Sequence, residues 1–329
     1  MYTELLSRQS NTKLNLWRNF LQKAGLDPDE SVSQTVLIWD DDDNLVATGS
    51  REGNVLKCIA VDEAHQGEGL TATLITALKK EAFADGINHL FLYTKPKNKM
   101  MFSDLFFYPV AQTDKVLLME DKKDGINRFL NTLAPREVSG KVGCIVMNCN
   151  PFTLGHQYLI ETASKKCDLL YVFVVSEDKS RFSAEDRIEM VRRGTAHIAN
   201  VCVMPTGPYL ISSATFPTYF LDNKENVSEV QCLLDIEIFT NYYVPKFNIS
   251  VRYVGTEPLS PTTNQYNCAL KEYLPSRGIA LNEIPRIEKA DAPISASRVR
   301  ALLDEGDFET LKSLVPDTTY NYLTEKGII

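Results

Sequence analysis

One stretch near the middle of the chain constrains the fold more than any other. Residues 142–147 (VGCIVM) form an uninterrupted apolar run, which predicts a strand buried on both faces of a sheet. Pro151 breaks the pattern because it fixes its own φ and disfavours helix at Asn150. A helix follows, with Gly155 and His156 in its first turn. A strand, a tight turn and a helix start leave unpaired backbone N–H groups at the end of the sheet, and such a place favours a phosphate.

A second motif stands near the C-terminus, where residues 294–300 have the sequence ISASRVR. Ser295 and Ser297 open a predicted helix, and hydroxyl groups at a helix start either cap the helix or hold phosphate oxygens. Arg300 follows one turn later, from where its guanidinium reaches the same anion. Taken with the T-x-G-H sequence that ends in His156, this motif resembles the paired signature of the HxGH nucleotidyltransferase superfamily.

Composition and charge narrow the function classes. The chain has 329 residues, enough for two domains, and its 44% hydrophobic and 24% charged residues are typical of a globular protein. A net charge of −8 argues against nucleic acid as a partner. No apolar run reaches membrane-spanning length and the first residues do not resemble a signal peptide, so we expect no membrane partner. Seven cysteines without a CxxC pair predict reduced thiols and a cytoplasmic protein.

The first part of the chain predicts a mixed α+β domain. An amphipathic helix precedes several short strands, one of which covers residues 55–61. Soon after this strand, Gln66, Gly67 and Gly69 open a helix, and this loop resembles motif A of the GNAT acetyltransferases. The resemblance implies that backbone N–H groups of the loop hold the pyrophosphate of coenzyme A. The sequence departs from the family pattern at Thr71, where the family has a second glycine or an alanine.

The second part of the chain predicts alternating strands and helices, as in a parallel sheet. Beyond the first strand, further apolar runs predict strands at residues 168–175, 201–204 and 250–254. Lys179 follows one of these strands, and Gly255 with Thr256 follows another. The carboxyl ends of parallel strands form the ligand-binding edge of an open α/β sheet, so we expect these residues near the phosphate site.

A connecting segment interrupted by Pro135 separates the two parts, which places the predicted domain boundary near residue 136. The predicted fold class is α/β. Residues 1–136 are expected to form a GNAT-like α+β domain. Residues 137–329 are expected to form a Rossmann-like, parallel-sheet nucleotidyltransferase domain.

Over nearly its full length the chain resembles one family. The domain pair, with the sequences NCNPFTLGHQYLIE, RYVGTEP and ISASRVR, is similar to the citrate (pro-3S)-lyase ligases, also called citrate lyase synthetases. That family uses ATP and acetate to acetylate the thiol of a dephospho-coenzyme A-derived arm on the acyl carrier (gamma) subunit of citrate lyase. AMP and pyrophosphate are released. The resemblance therefore implies an acid–thiol ligase that activates acetate as acetyl-adenylate, with Mg²⁺ bridging phosphate oxygens of ATP.

The resemblance also assigns roles to residues. His156 and Thr153 are expected at the α and β phosphates with Lys179 opposite them, and these three form the predicted catalytic set. The residues expected to hold the nucleotide are Asn150, Phe152, Gly155, Gly255, Thr256, Ser295, Ser297 and Arg300. The loop with Gln66, Gly67 and Gly69 is expected to hold the pyrophosphate of the carrier arm, which has the same structure as that of coenzyme A. No side chain is predicted to ligate a metal, and Cys149 is interpreted as a small apolar filler.

Three alternatives account for parts of the sequence. An adenylyltransferase acting on a pantetheine-like phosphate would transfer AMP to its product. An N-acetyltransferase with a nucleotide-sensing second domain would carry out chemistry in the first domain alone. The equivalent acetate ligase of malonate decarboxylase would differ only in its protein substrate, which the sequence does not separate from citrate lyase.

Overall fold

The computed structural model describes residues 1–7, 9–177, 180–210, 216–221, 227–257, 261–289 and 292–329. The chain divides into two compact units. The first comprises Met1–Ile126 together with the later segment Pro217–Val230, and the second comprises Asn127–Phe216 and Gln231–Ile329. The junction after Ile126 lies near the predicted boundary at residue 136, which stays a prediction. No local sequence pattern indicates that a later segment returns to the first unit.

A seven-stranded sheet organises the first unit. Its strands are β1 (Tyr2–Leu5), β2 (Gln34–Trp39), β3 (Leu45–Glu52), β4 (Val55–Val61), β5 (Phe91–Thr94), β6 (Tyr108–Gln112) and β7 (Leu117–Glu120). They lie in the order β1-β2-β3-β4-β5-β7-β6. All neighbours are antiparallel except β4 and β5, which run parallel. Strand β4 has its predicted range, whereas β1 and β6, which are short and carry exposed side chains, were not predicted.

The helices of the first unit are α1 (Asn11–Lys23), α2 (Leu70–Ala84) and α3 (Lys99–Ser103). One face of α2 buries Leu74 and Leu78 in the same apolar core as Leu56 and Leu92 of the two parallel strands. Strands β4 and β5 pair at only two positions, Val55 with Phe91 and Leu56 with Leu92. Beyond these pairs β4 and β5 are not paired along their described lengths, which leaves an opening between them. The start of α2 lies beside this opening.

A five-stranded parallel sheet organises the second unit. Its strands are β8 (Val142–Met147), β9 (Leu169–Val174), β10 (Val201–Pro205), β11 (Val251–Gly255) and β12 (Ala280–Ile284). Their order is β10-β9-β8-β11-β12, and every neighbouring pair is parallel. This confirms the predicted parallel sheet, and β8, the strand with the continuous apolar run, occupies its centre. A short hairpin of β13 (Glu288–Lys289) and β14 (Ala292–Pro293) stands apart from the sheet.

The remaining helices are α4 (Gly125–Thr132), α5 (Leu154–Ser164), α6 (Ala184–Thr195), α7 (Val227–Ile238), α8 (Val244–Phe247), α9 (Pro261–Tyr273), α10 (Ala296–Glu305), α11 (Phe308–Lys312) and α12 (Asp317–Glu325). Side chains of α5, α6 and the last three helices join those of β8 and β9 in one core. Ser183 caps the start of α6, because its Oγ accepts a hydrogen bond from the Asp186 amide at 3.1 Å. Within the part of the chain that is described, no helix is long and apolar enough to cross a membrane.

Candidate active site

A cavity of about 690 Å³ lies at the carboxyl edge of the parallel sheet in the second unit. The ends of β8, β11 and β12 and the first turns of α5 and α10 line it. An open parallel sheet binds ligands at this edge because the strand ends and the helix N-termini meet there. The predicted residues that line the cavity are Thr153, Gly155, His156, Gly255, Ser295 and Ser297. The fold therefore brings the two sequence motifs to one site.

A reciprocal cap fixes His156 at the start of α5. The Thr153 hydroxyl accepts from the His156 amide at 3.4 Å, and His156 Nδ1 accepts from the Thr153 amide at 3.0 Å. Because the backbone N–H must be the donor, the proton of the neutral imidazole lies on Nε2. Burial, aided by the guanidinium of Arg286, lowers the pKa of His156 to about 4. His156 therefore enters the cavity at neutral pH as an uncharged Nε2–H donor.

The two motifs are in direct contact. A Cβ added to Gly155 would lie 3.2 Å from the carbonyl oxygen of Ile294, so glycine permits the close approach of the two segments. Ser295 Oγ caps α10 by accepting from the Arg298 amide at 3.2 Å. Ser297 is exposed at the rim of the cavity. The N-termini of α5 and α10 thus border one space with their unpaired backbone N–H groups.

Several predicted residues do not line the cavity. The Phe152 side chain is fully buried, stacks on the His156 ring with centroids 5.9 Å apart, and lies so close to Gly194 that a Cβ there would clash. Asn150 Oδ1 accepts from the Phe182 amide at 3.2 Å. Thr256 Oγ1 accepts from the Arg286 amide at 3.1 Å. These side chains hold the elements around the cavity in place. Lys179, also predicted to belong to the site, lies outside the described residues.

Arg286 and Glu257 line the cavity and were not among the predicted site residues. Arg286 Nε donates to the Thr256 carbonyl at 2.7 Å, and its Nη2 pairs with the buried carboxylate of Glu257. The Arg286 side chain remains about a third exposed, at 30%. Arg286 comes just after β12 and therefore lies at the same edge as the other strand ends. A prediction of β12 would have placed Arg286 at the cavity. That strand (ALNEI) has a mixed polar pattern and was not predicted.

Arg187 is another missed residue, and it supports the turn that follows β8. Its side chain is fully buried in α6. Nη1 donates to the carbonyl of Asn148 at 3.0 Å and to that of Val175 at 2.6 Å, while Nε donates to the carbonyl of Phe182 at 3.1 Å. One guanidinium therefore ties together the loops that follow β8 and β9.

Cys149 lies in this turn and is not an activated thiol. Its side chain is buried, and burial raises the pKa of the Cys149 thiol far above its ordinary value. The interpretation as a small apolar filler is confirmed. All seven cysteines of the chain are free.

A second cavity, of about 560 Å³, lies in the first unit between the separating ends of β4 and β5. Gln66, Gly67 and Gly69, all predicted to bind a pyrophosphate, line it together with Thr71. Gly69 has a φ of 78°, a conformation that favours glycine, and is the N-cap of α2. The returning segment of residues 217–230 contributes Tyr219 and Phe220 to the wall.

No three His, Cys, Asp or Glu side chains among the described residues converge in a way that would hold a metal ion. The cavity of the second unit instead gathers several donors, namely two helix N-termini, a neutral imidazole and the guanidinium groups of Arg252 and Arg286, the latter paired with the Glu257 carboxylate. This donor set is suited to phosphate oxygens.

Comparisons with known proteins cover both units. Residues 142–323 match the profile of the citrate lyase ligase C-terminal domain, and residues 4–101 match that of the acetyltransferase (GNAT) family. The citrate pro-3S-lyase ligase of Klebsiella pneumoniae is 42% identical over 302 residues, which are 90% of this chain and 88% of that protein. Its namesake in Escherichia coli K12 is 38% identical over 325 residues, 97% of this chain and 92% of that protein.

A much shorter match links the chain to another enzyme. A stretch of 67 residues is 37% identical to the phosphopantetheine adenylyltransferase of Symbiobacterium thermophilum. The stretch covers 20% of this chain and 41% of that protein.

Proposed function

The chain belongs to the citrate lyase ligase family, and we propose that it uses ATP and acetate to acetylate the prosthetic thiol on the acyl carrier subunit of citrate lyase. The family matches confirm the resemblance inferred from the sequence, including the GNAT-like first domain. The enzyme is an acid–thiol ligase. Its products besides the acetylated carrier are AMP and pyrophosphate.

One observation supports the adenylation step above the others. The turn that carries Thr153, Gly155 and His156 and the helix start that carries Ser295 and Ser297 border one cavity at the carboxyl edge of a parallel sheet. Each segment contains the N-terminus of a helix, where backbone N–H groups and the helix dipole favour a phosphate. A triphosphate needs such a set of donors because its charge is spread over many oxygens.

The first half-reaction is a displacement at phosphorus. An acetate oxygen attacks the α-phosphorus of ATP, the bond to the bridging oxygen breaks, and its electron pair leaves with pyrophosphate. Charge grows on the phosphate oxygens, so the protein acts by positioning and electrostatic stabilisation. His156 Nε2–H donates to these oxygens, assisted by Thr153, and Mg²⁺ arrives bound to the phosphates as part of the substrate.

The remaining cationic groups hold the β and γ phosphates. Arg286, on the cavity wall, is suited to this role because its side chain is partly exposed and ends in a guanidinium. Arg300 supports the site from α10, and Lys179 is proposed to reach the phosphates from the opposite side. Gly255 marks the end of β11 and leaves the cavity open beside it.

The second half-reaction transfers the acetyl group to sulfur. The thiolate of the carrier arm attacks the carbonyl carbon of acetyl-adenylate, and AMP leaves with the electron pair of the broken C–O bond. The thiol proton passes to the solvent. No covalent enzyme intermediate is required, in keeping with the buried, unactivated state of Cys149.

The first domain is proposed to hold the arm of the carrier. The arm contains the pyrophosphate and pantetheine of dephospho-coenzyme A, and the cavity beside Gln66, Gly67 and Gly69 combines a helix N-terminus with room for such a chain. We place the reaction in the cytoplasm, where reduced thiols such as the seven of this chain persist.

The test is the fate of ATP in the presence of acetate and hydroxylamine. The ligase forms AMP, pyrophosphate and acetyl-hydroxamate together, because hydroxylamine traps the adenylate. Formation of AMP without the hydroxamate, or no acetate dependence, would contradict the proposal. Purified carriers of citrate lyase and of malonate decarboxylase, offered in parallel, identify the protein substrate.

A second candidate function is adenylyl transfer to a pantetheine-like phosphate, which the short match to a phosphopantetheine adenylyltransferase favours. This activity would release pyrophosphate and leave AMP attached to the product. Incubation with 4′-phosphopantetheine and ATP separates the two functions, because only the adenylyltransferase forms dephospho-coenzyme A. An N-acetyltransferase would instead consume acetyl-coenzyme A without ATP.

A further inference from the structure

Arg252 is a buried cation on the wall of the active-site cavity. The residue belongs to β11, lines the cavity, and is only 2% exposed. Its Nε and Nη1 atoms make no hydrogen bond to any residue that the structure describes. A guanidinium has five N–H groups and is always charged, so it requires acceptors when it is removed from water.

The neighbours of Arg252 hold its guanidinium in place without satisfying it. Nη2 donates to the Tyr266 hydroxyl at 2.8 Å. The ring of Phe239 lies 4.7 Å and that of Tyr266 5.5 Å from the guanidinium carbon, as in cation–π contacts. Asp235 Oδ2 is 4.0 Å from Nη1, beyond hydrogen-bond distance, and accepts from the Tyr266 hydroxyl instead.

Such an arrangement is costly unless a ligand completes it. Buried polar groups in native proteins are almost always paired, and an unpaired donor loses the hydrogen bonds that water gave it. An unpaired charged donor is costlier still. Here the unpaired donors, which are shielded from solvent, belong to a residue on the wall of a cavity, so an acceptor that reached them from the cavity would complete their pairing.

The surroundings define the size and polarity of that acceptor. Side chains alternate along a strand, so Val254 lies on the same face of β11 as Arg252. Arg252 is in register with Cys144 of β8, and Val146 is therefore on this face of the neighbouring strand. Val146 and Val254 both line the cavity. A cation beside two apolar side chains suits a carboxylate with a short alkyl group.

We propose that Arg252 binds the carboxylate of acetate, with Val146 and Val254 against its methyl group. This subsite rests on the proposed function, because it assigns the acid that the ligase activates. A guanidinium bonded to one carboxylate oxygen leaves the other free to attack the α-phosphorus of ATP. Binding also offsets the repulsion between acetate and the triphosphate, since the two anions meet beside a fixed positive charge.

The test removes the charge without leaving its partner unpaired. Loss of Arg252 alone would strand the buried Asp235 carboxylate, so the variant is Arg252→Gln with Asp235→Asn. The KM for acetate in pyrophosphate exchange should rise by about 10- to 100-fold, as expected for a lost charge-assisted hydrogen bond. ATP affinity, measured by calorimetry without acetate, should stay within about twofold, which also reports correct folding.

A matched control removes an arginine outside the cavity. Arg277 bonds Thr240 and pairs with Glu237 of α7, the helix that also carries Asp235. Arg277→Gln should leave both the acetate KM and the ATP affinity at the wild-type values. A rise in acetate KM in this control as large as in the double variant would mean that α7 has shifted, and would overturn the assignment to Arg252.

A binding measurement separates this inference from the proposed function. Saturation-transfer NMR detects the acetate methyl group on the enzyme in the presence of α,β-methylene-ATP, without turnover. Transfer in the wild type that disappears in the double variant supports the subsite, even if the enzyme does not adenylate acetate. Absence of transfer in the wild type, or equal transfer and equal acetate KM in the double variant, overturns the subsite, even if the ligase reaction is observed.

Discussion

Arg300 Nη1 donates a hydrogen bond to the backbone carbonyl of Asn150 at a distance of 2.6 Å. A second bond from Nη2 reaches Ser297 Oγ at 3.0 Å. The same guanidinium therefore joins the turn after β8 to the first turn of α10. The two sequence motifs are held together by a side chain that does not line the cavity between them.

Substitution of Arg300 tests this link. Arg300→Lys cannot make both bonds at once, because an ammonium lacks the planar fork of a guanidinium. We expect ATP binding to weaken by about 1–3 kcal/mol in both Arg300→Lys and Arg300→Ala. Calorimetric titration with ATP measures the change. Unchanged affinity in Arg300→Ala would show that Arg300 stabilises its helix alone.

His156 is expected to act in the transition state more than in ATP binding. His156→Ala should lower acetate-dependent pyrophosphate exchange by ~10²–10³, which is typical of losing one transition-state donor. The Kd for ATP should change much less, because the helix N-termini remain. Exchange at the wild-type rate in the variant would remove His156 from the mechanism.

The low pKa of His156 makes a separate prediction about stability. The folded-state pKa is about 4 and the ordinary value is 6.5, so the unfolded chain binds more protons between these pH values. The free energy of unfolding should therefore rise as pH increases across this window and level off above it. Urea unfolding at several pH values, in wild type and in His156→Gln, isolates the contribution. Parallel curves for the two proteins would contradict the assigned pKa.

The role of the first domain is tested by separating the two half-reactions. Gly69→Asp places a negative charge at the N-terminus of α2, beside the cavity proposed for the carrier arm. Pyrophosphate exchange should stay intact, and transfer of acetate to the carrier thiol should slow. Transfer at the wild-type rate would exclude this loop from the reaction.

Gly86 offers a matched control for this variant. Gly69 and Gly86 have the same φ of 78°, and a Cβ at either position meets no atom within 4 Å. Gly86→Asp therefore introduces the same backbone strain and the same charge beyond the opposite end of α2. We expect normal transfer in this control, and equal losses in the two variants would indicate destabilisation of the domain.

The sequence predicted the centre of the site better than its periphery. Three local signals predict the structure at the positions where they occur. They are the apolar run of β8, the break at Pro151 and the glycine before His156. Arg286 and Arg252 gave no such signal, because their roles depend on which strands become neighbours. Phe152 shows the same limit, since its burial against Gly194 follows from the packing of α6 on α5.

The returning segment of residues 217–230 has a consequence for biosynthesis. The Tyr219 hydroxyl donates to the carbonyl of Tyr93 at 3.2 Å, and the Tyr219 carbonyl accepts from the Asp27 amide at 2.9 Å. Domains usually fold in order as the ribosome releases them. Here the ribosome must also release residues 127–216 before the first unit receives its last piece. The first unit is therefore synthesised early but completed late. Until residues 217–230 are released, one wall of its cavity is missing.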